Sequence, residues 1–264
     1  MSDMDKSEKK VIIDCRIVER VPLHNLYTLL KLTPADGSLL PSAEPGQFVQ
    51  IAVPSSRSTF LRRPISINFI DKERNELWLL IRRAGDGTNA LCDTEAGAVL
   101  NLIMPLGNGF GRPADKASRL LLAGGGVGIA PLYYLGYELA CMGYAPEYLI
   151  GARSKTDLLE VELLSAVGPV HISTDDGSYG EHGLVTHNSV LSKQWDLIYC
   201  CGPAPMMKAV AAKAREIGSE CEVSLENMMA CGLGACLCCV ENTVKGNVCV
   251  CTEGPVFNIN QLTW

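Results

Sequence analysis

Cys231, Cys236 and Cys239 stand in a run that reads Met228-Met-Ala-Cys-Gly-Leu-Gly-Ala-Cys-Leu-Cys-Cys239, and no other feature restricts the fold of this chain as much. The spacing is C-x4-C-x2-C, by which a plant-type loop wraps a [2Fe–2S] cluster with a fourth thiolate from further along the chain. Cys251 is the natural fourth ligand. Gly232 and Gly234 alternate with the ligands, as a tight loop needs permissive backbone angles and a close approach of its amides to sulfur. The competing reading is a structural zinc site, which also takes four thiolates but is usually built from two short Cys-x2-Cys knuckles. Only Cys236–Cys239 has that form. No histidine lies nearby, which excludes a Rieske-type centre.

The chain has 264 residues, enough for two domains with proper cores and an added cysteine-rich segment. Its net charge of −6 and the lack of any basic run argue against a general nucleic-acid binder, which needs clustered Lys and Arg for phosphate contacts. The twelve cysteines crowd toward the C-terminus of a mid-sized chain and read mostly as thiols rather than as a disulfide framework. The first ten residues are charged, with no apolar stretch to act as an export signal or membrane anchor. The most apolar region, 120–135, is interrupted by Gly124, Gly125, Gly126, Gly128 and Pro131 and does not read as a membrane span. A cytoplasmic protein is expected.

From residue 11 to about 106 the pattern is short β-rich runs (11–21, 27–32, 47–53, 65–70, 77–82 and 99–103) separated by turn residues, which predicts an antiparallel sandwich or barrel. Arg63, Pro64 and Ser66 open one of these strands. In Arg82-Arg-Ala-Gly-Asp-Gly-Thr-Asn89, Thr88 is expected to N-cap 89–93. The glycines, Gly87 among them, then make a pocket of N–H groups for a pyrophosphate, with Arg82 as countercharge. A plain solvent loop is the alternative. Phe110 reads as either a stacking residue or core, and 111–118 as the boundary between domains.

Beyond that boundary the style is α/β. Strands are expected at 119–123, 146–151, 170–174 and 197–201, and helices at 129–142, 155–166 and 206–217, which predicts a parallel sheet covered on both faces. Gly124-Gly-Gly-Val-Gly128 between the first strand and helix reads as a nucleotide-phosphate turn, or else as tight strand-to-helix packing. Cys201 falls at the carboxyl edge of the sheet, where a nicotinamide would lie, and Cys200 should face the other way. Met206 and Met207 read as helix core. Arg153 and Lys155 follow the second strand, where a 2′-phosphate would be recognised, and leave NADPH open beside NADH.

Taken together, Arg63-Pro-Ile-Ser66, Gly124-Gly-Gly-Val-Gly-Ile-Ala-Pro131 and Cys201-Gly-Pro-Ala-Pro-Met-Met207 resemble a ferredoxin–NADP reductase type module. The added Glu226-Asn-Met-Met-Ala-Cys-Gly-Leu-Gly-Ala-Cys and Cys251-Thr-Glu-Gly-Pro-Val-Phe257 resemble the electron-transfer subunits of dihydroorotate dehydrogenase B. That resemblance, from Pro45 to Phe257, implies three parts: an FAD-binding antiparallel β-barrel (1–112), a parallel α/β NAD-binding domain (113–221) and a [2Fe–2S] subdomain (222–264). It implies that Arg63, Pro64, Ile65, Ser66, Leu80, Ile81, Arg82, Gly87 and Thr88 hold FAD, and that Cys231, Cys236, Cys239 and Cys251 hold the cluster. Gly124, Gly125, Gly126 and Gly128 would face NAD(H). It further implies passage of electrons from NADH through FAD and the cluster to the FMN of a separate catalytic subunit, in a heterotetramer of two of each, during pyrimidine biosynthesis. Cys238 and Cys249 are extra thiols beside these ligands, and Cys251 is preferred because the Glu-Gly-Pro-Val-Phe segment follows it. Two alternatives stand beside this reading: the reductase subunit of a sulfide dehydrogenase or ferredoxin-linked NADPH oxidoreductase, and a zinc-stapled nucleotide-binding regulator.

Overall fold

The computed structural model describes residues 9–53 and 58–264; most of the charged N-terminal stretch lies outside them. The first strands are β1 (Val11–His24), β2 (Tyr27–Pro34), β3 (Phe48–Ile51), β4 (Arg63–Ser66), β5 (Phe69–Asp71) and β6 (Glu76–Arg82). Helix α1 (Asp86–Asp93) and strand β7 (Val99–Leu106) complete this half. The seven strands form one sheet in the order β4-β3-β7-β1-β2-β6-β5, antiparallel at every step, which curls so that β4 lies against β6. The run expected at 65–70 is two strands, because the chain changes partners there: Arg63–Ser66 pairs with β3 and Phe69–Asp71 with β6. Alternation fills the curl with Val49, Ile51, Leu79 and Ile81, each fully buried. Each such side chain contributes about 1.5–3 kcal/mol.

The second half contains β8 (Leu120–Gly125), α2 (Ala130–Cys141), β9 (Pro146–Ala152), α3 (Val161–Ser165), β10 (Val170–Thr174), β11 (Glu181–His182), β12 (Leu197–Cys201), α4 (Ala204–Ile217) and β13 (Glu220–Ser224). These strands form a parallel sheet, β11-β10-β9-β8-β12-β13, whose order reverses between β8 and β12. Such a reversal opens a crevice at the carboxyl ends of the two central strands, where open α/β sheets bind ligands. The helix expected at 155–166 is broken. A short 3₁₀ turn, Lys155–Asp157, precedes α3, and Glu160 between them stands at φ 53°, outside the right-handed helical region. The carboxyl of Glu160 turns instead toward the first half of the molecule, where Asn68 Nδ2 donates to its Oε1 at 3.0 Å.

After β13 the chain leaves the sheet for the cysteine loop. It then forms the hairpin β14 (Val240–Thr243) and β15 (Gly246–Cys249), then α5 (Val250–Glu253), and rejoins the sheet as β16 (Val256–Asn258), antiparallel to β13. The cysteine loop is thus an excursion pinned at both ends to one sheet edge. Asn108 ties it to the first half by donating to the carbonyls of Thr252 and Glu253, both at 3.0 Å. Among the described residues no helix is long and apolar enough to cross a membrane.

Candidate functional site

The crevice at the β8/β12 reversal is a cavity of about 460 Å³. Its floor is Gly125, Gly126, Gly202 and Pro203, and its roof is Leu26 and Tyr27 from the β1–β2 turn. The glycines of the 124–128 turn divide their work. Gly125 and Gly126 face the cavity, and Gly126 has φ +55°, which favours glycine. Gly124 and Gly128 are packing positions: a Cβ on Gly128 would stand 2.4 Å from the Cys201 carbonyl oxygen, and one on Gly124 would press on Ile129 and Leu132. The packing reading thus holds for Gly124 and Gly128, while Gly125 and Gly126 stand open to the cavity.

Cys201 sits at the carboxyl end of β12, but its thiol is only 2% exposed and does not line the cavity. Burial pushes that thiol well above its ordinary value and so favours its protonated form. Cys200 packs in the opposite layer, as alternation demands. Met207 is core, whereas Met206, expected to be core as well, walls the cavity with its sulfur beneath Gly125. Arg153 lines the far end together with Asp157 and Asp175, while Lys155 lies over the Tyr179 ring.

A second cavity, of about 270 Å³, lies against the curled sheet. Pro64, Ile65 and Ser66 of β4 and Leu80 and Arg82 of β6 form one wall, and Leu225 to Met229 form the other. The two cavities share Arg82, Val127 and Glu226. Glu226 is the one acid on both walls; burial raises its carboxyl above the usual range, and the Arg82 charge opposes this. Ile81 does not face either space, being fully buried in the sheet core.

Arg63, rather than the Arg82 expected as countercharge, lies on the Gly87 turn. A Cβ on Gly87 would fall 2.5 Å from Arg63 Nε, so only glycine lets the guanidinium lie on the first turn of α1. Arg63 donates to the Leu61 carbonyl at 3.0 Å and pairs with no carboxylate among the described residues. Its charge is thus left for a ligand. Thr88 departs from its expected place: α1 begins at Asp86 after Gly85, and Thr88 Oγ1 reaches back to accept from the N–H of Ala84 at 2.9 Å and of Gly85 at 3.2 Å. It fastens the turn as the third helical residue rather than capping a later helix. Arg82 borders both cavities instead of standing over this turn. Phe110 is core, edge-on to Tyr199 at 5.5 Å.

The cysteine loop collects its thiols in two adjacent pairs, Cys231 with Cys236 and Cys239 with Cys251. Backbone N–H groups point at them: Leu233 donates to Cys231 Sγ at 3.3 Å, Gly234 to Cys251 Sγ at 3.1 Å and Cys251 to Cys239 Sγ at 3.4 Å. The Leu233 N–H holds the Cys231 thiol down at about 6, favouring the thiolate that metal ligation needs, whereas burial pushes Cys251 up to about 12. Gly232 and Gly234 have φ +69° and +81°, and Leu237 shares that region at +58°. Among the described residues no three His, Cys, Asp or Glu side chains enclose a single ion. Pairs of thiolates beside backbone donors suit a two-iron cluster, each iron taking two. Cys249 also touches Cys239, and Cys238 is exposed.

A curled antiparallel sheet, a doubly wound nucleotide sheet and a thiol loop joined through two touching cavities define a flavin reductase fold with an iron–sulfur extension. The family model for the iron–sulfur cluster binding domain of dihydroorotate dehydrogenase B matches residues 226–263. The electron transfer subunit of dihydroorotate dehydrogenase B (NAD(+)) from Shouchella clausii is 40% identical over 230 residues, covering 83% of this chain and 86% of that one. The subunit of the same description from Listeria innocua is 38% identical over 98% of this chain and all of its own. The chain belongs to the family of dihydroorotate dehydrogenase B electron transfer subunits. Among solved structures, one described as an NADH-dependent reduced ferredoxin-NADP oxidoreductase superposes with a TM-score of 0.84 at 28% identity, covering 95% of this chain and 90% of that one. A ferredoxin reductase of carbazole 1,9a-dioxygenase, at TM-score 0.70 and 20% identity over 81% of this chain and 68% of its own, shares the fold.

Proposed function

We infer that this chain is the oxidoreductase component that carries electrons between NADH and the FMN-containing catalytic subunit of dihydroorotate dehydrogenase, through FAD and a [2Fe–2S] cluster, in pyrimidine synthesis. The observation that carries the reading is continuity: the two cavities share Arg82, Val127 and Glu226, and the wall of the second includes Met228 and Met229, the latter standing two positions before Cys231 in the chain. The residues fit the groups. Arg63 on the Gly87 turn offers an uncommitted cation to a pyrophosphate, and Pro64, Ile65, Ser66 and Leu80 form a flat wall for a ring system. Gly125 and Gly126 let the NADH backbone lie close to the sheet edge. Cys201 packs in the core behind that edge as a protonated thiol.

Pro64, Ile65, Ser66 and Leu80 would hold a flavin in the second cavity, where it would supply the conversion between two-electron hydride chemistry and the single electrons that a cluster accepts. Val127 and Ala130 keep the meeting point apolar, while Glu226 and Arg82 are its only charged groups among the described residues. At the far end, Asp157 and Asp175 beside Arg153 suit the ribose 2′-hydroxyl of NADH and oppose a 2′-phosphate. Around the thiol loop Met228 (83% exposed), Leu233, Leu237 and Val240 are apolar and exposed, a surface suited to the catalytic subunit in a complex of two copies of each. Thiol ligands of this kind are kept reduced in the cytoplasm, where we place the protein. The three functional parts are taken as 1–112, 113–221 and 222–264. Anaerobically purified protein should hold one FAD and two irons per chain, measured by flavin release and iron assay; zinc in place of iron, or no flavin, would overturn the reading.

A further inference from the structure

β3 is the strand that joins the flavin wall to the rest of the first sheet, and its alternation sends Val49 and Ile51 into the sheet core. Gln50 faces the other way, toward the cysteine loop, and is 0% exposed. Among the described residues it is the one side chain with two buried polar atoms, Nε2 and Oε1, that lack any hydrogen-bond partner. A buried amide with neither end satisfied is costly, and such a group calls for a partner of its own.

The loop is shaped to receive it. Gly232, the residue after Cys231, lies so close that a Cβ there would stand 2.8 Å from Gln50 Cγ and 2.9 Å from Nε2. Any side chain at 232 would displace the amide, so this glycine serves Gln50 as well as its own positive φ. The backbone of Gln50 is fixed on two sides, opposite Pro64 of β4 and Ile103 of β7, and its carbonyl accepts from Arg62 Nη1 at 3.3 Å. The amide is therefore held on the strand that pairs directly with β4 of the flavin wall.

We propose that Gln50 is a positioning and tuning residue for the cluster, its Nε2–H donating to a sulfur of the [2Fe–2S] centre or of its Cys231 ligand. The inference rests on the cluster assignment above. Hydrogen bonds to cluster sulfurs stabilise the more negative, reduced state and so raise the reduction potential. A donor from the first domain also fixes the loop against the flavin strand, where the backbone donors of Leu233 and Gly234 come from the loop alone.

The test is Gln50→Met, which keeps the length of the side chain and removes the donor. In the cluster-loaded protein the midpoint potential, followed by EPR-monitored redox titration, should fall; an unchanged potential with the cluster at full occupancy overturns the proposal. Where the variant fails to load, the wild-type protein decides. With glutamine labelled with ¹⁵N in its side-chain amide, pulsed EPR of the reduced cluster should show a ¹⁵N coupling, and its absence overturns the proposal. If the anaerobic wild-type protein shows no reduced [2Fe–2S] signal at all, the cluster assignment falls first and this proposal with it.

Discussion

The nucleotide end and the cluster end of this molecule both rely on glycine-rich turns, and they use them differently. At the nucleotide end the glycines remove bulk: Gly128 makes room for the β12 backbone, and Gly125 opens a floor over the Met206 sulfur. The lining there is spread over backbone glycines, helix ends and several side chains, Arg82 and Arg153 among them, so no single residue is expected to decide binding. At the cluster end Gly232 and Gly234 bend the chain so that N–H groups aim at sulfur, and in the reading proposed above four thiolates would carry the binding. One end should thus fail by degrees and the other outright.

The largest expected effect is at the thiols. Cys239→Ala and Cys251→Ala should each lose the cluster, since the energy of a metal site is partly folding energy. Cys238→Ala and Cys249→Ala should keep iron near about two per chain, the content of a [2Fe–2S] centre. Iron assay and visible absorption read this directly; loss of iron in Cys249→Ala with retention in Cys251→Ala would exchange their assignments.

Next comes the exit surface. Leu237 is 65% exposed at φ +58°, a conformation that a short polar residue tolerates better than leucine, so Leu237→Asp should leave the loop unstrained. NADH should still reduce that variant alone, while orotate-linked turnover with the catalytic subunit falls. Normal turnover at unchanged affinity would move the docking face elsewhere.

Arg63→Ala tests the graded end. Loss of a charge-assisted phosphate contact should weaken FAD binding by roughly 2–5 kcal/mol without abolishing the fold. Full flavin occupancy after dialysis would count against Arg63.

The smallest effect lies between the two halves. Burial raises the Glu160 carboxyl from 4.5 to about 7, with the Asn68 bond opposing the shift. Its Oε2 and the Asn68 Oδ1 have no hydrogen-bond partner among the described residues. Between those pH values the folded protein keeps a proton that the unfolded chain has released, so stability falls as pH rises through the window. Glu160→Gln should therefore be more stable than the wild type above pH 7, by at most about 3 kcal/mol at 1.36 kcal/mol per pKa unit, and equal to it near pH 4.5. Urea unfolding at pH 5 and pH 8 compares them; a constant difference would show that the carboxyl does not titrate there.

Much of this was legible in the chain itself, and the reason is local chemistry. The thiol spacing, the Gly124–Gly128 turn and the strand runs are short-range patterns, and the structure gathers the thiols in one loop, sets the turn between β8 and α2 and builds the strands. What escaped were features set by tertiary contact. The helix over 155–166 breaks where Glu160 reaches Asn68, 92 residues away, which no periodicity encodes. Met206 looked like helix core because its neighbours are, yet it walls the cavity once Gly125 lies above it. The β14–β15 hairpin hid in a cysteine-rich stretch of low hydrophobic contrast. Gln50 gave only a warning, a polar residue within an otherwise apolar strand. Thr88 was placed by the right principle at the wrong end of the turn, since α1 starts three residues earlier than its apolar residues suggest.

The central claim is one connected route from nicotinamide to cluster, and anaerobic titration of the isolated protein with NADH tests it most directly. Visible absorption follows the flavin and EPR follows the cluster. Sub-stoichiometric NADH should bleach the flavin and raise the reduced [2Fe–2S] signal in the same titration, with no catalytic subunit present. A flavin that bleaches while a dithionite-reducible cluster stays oxidised would contradict the route.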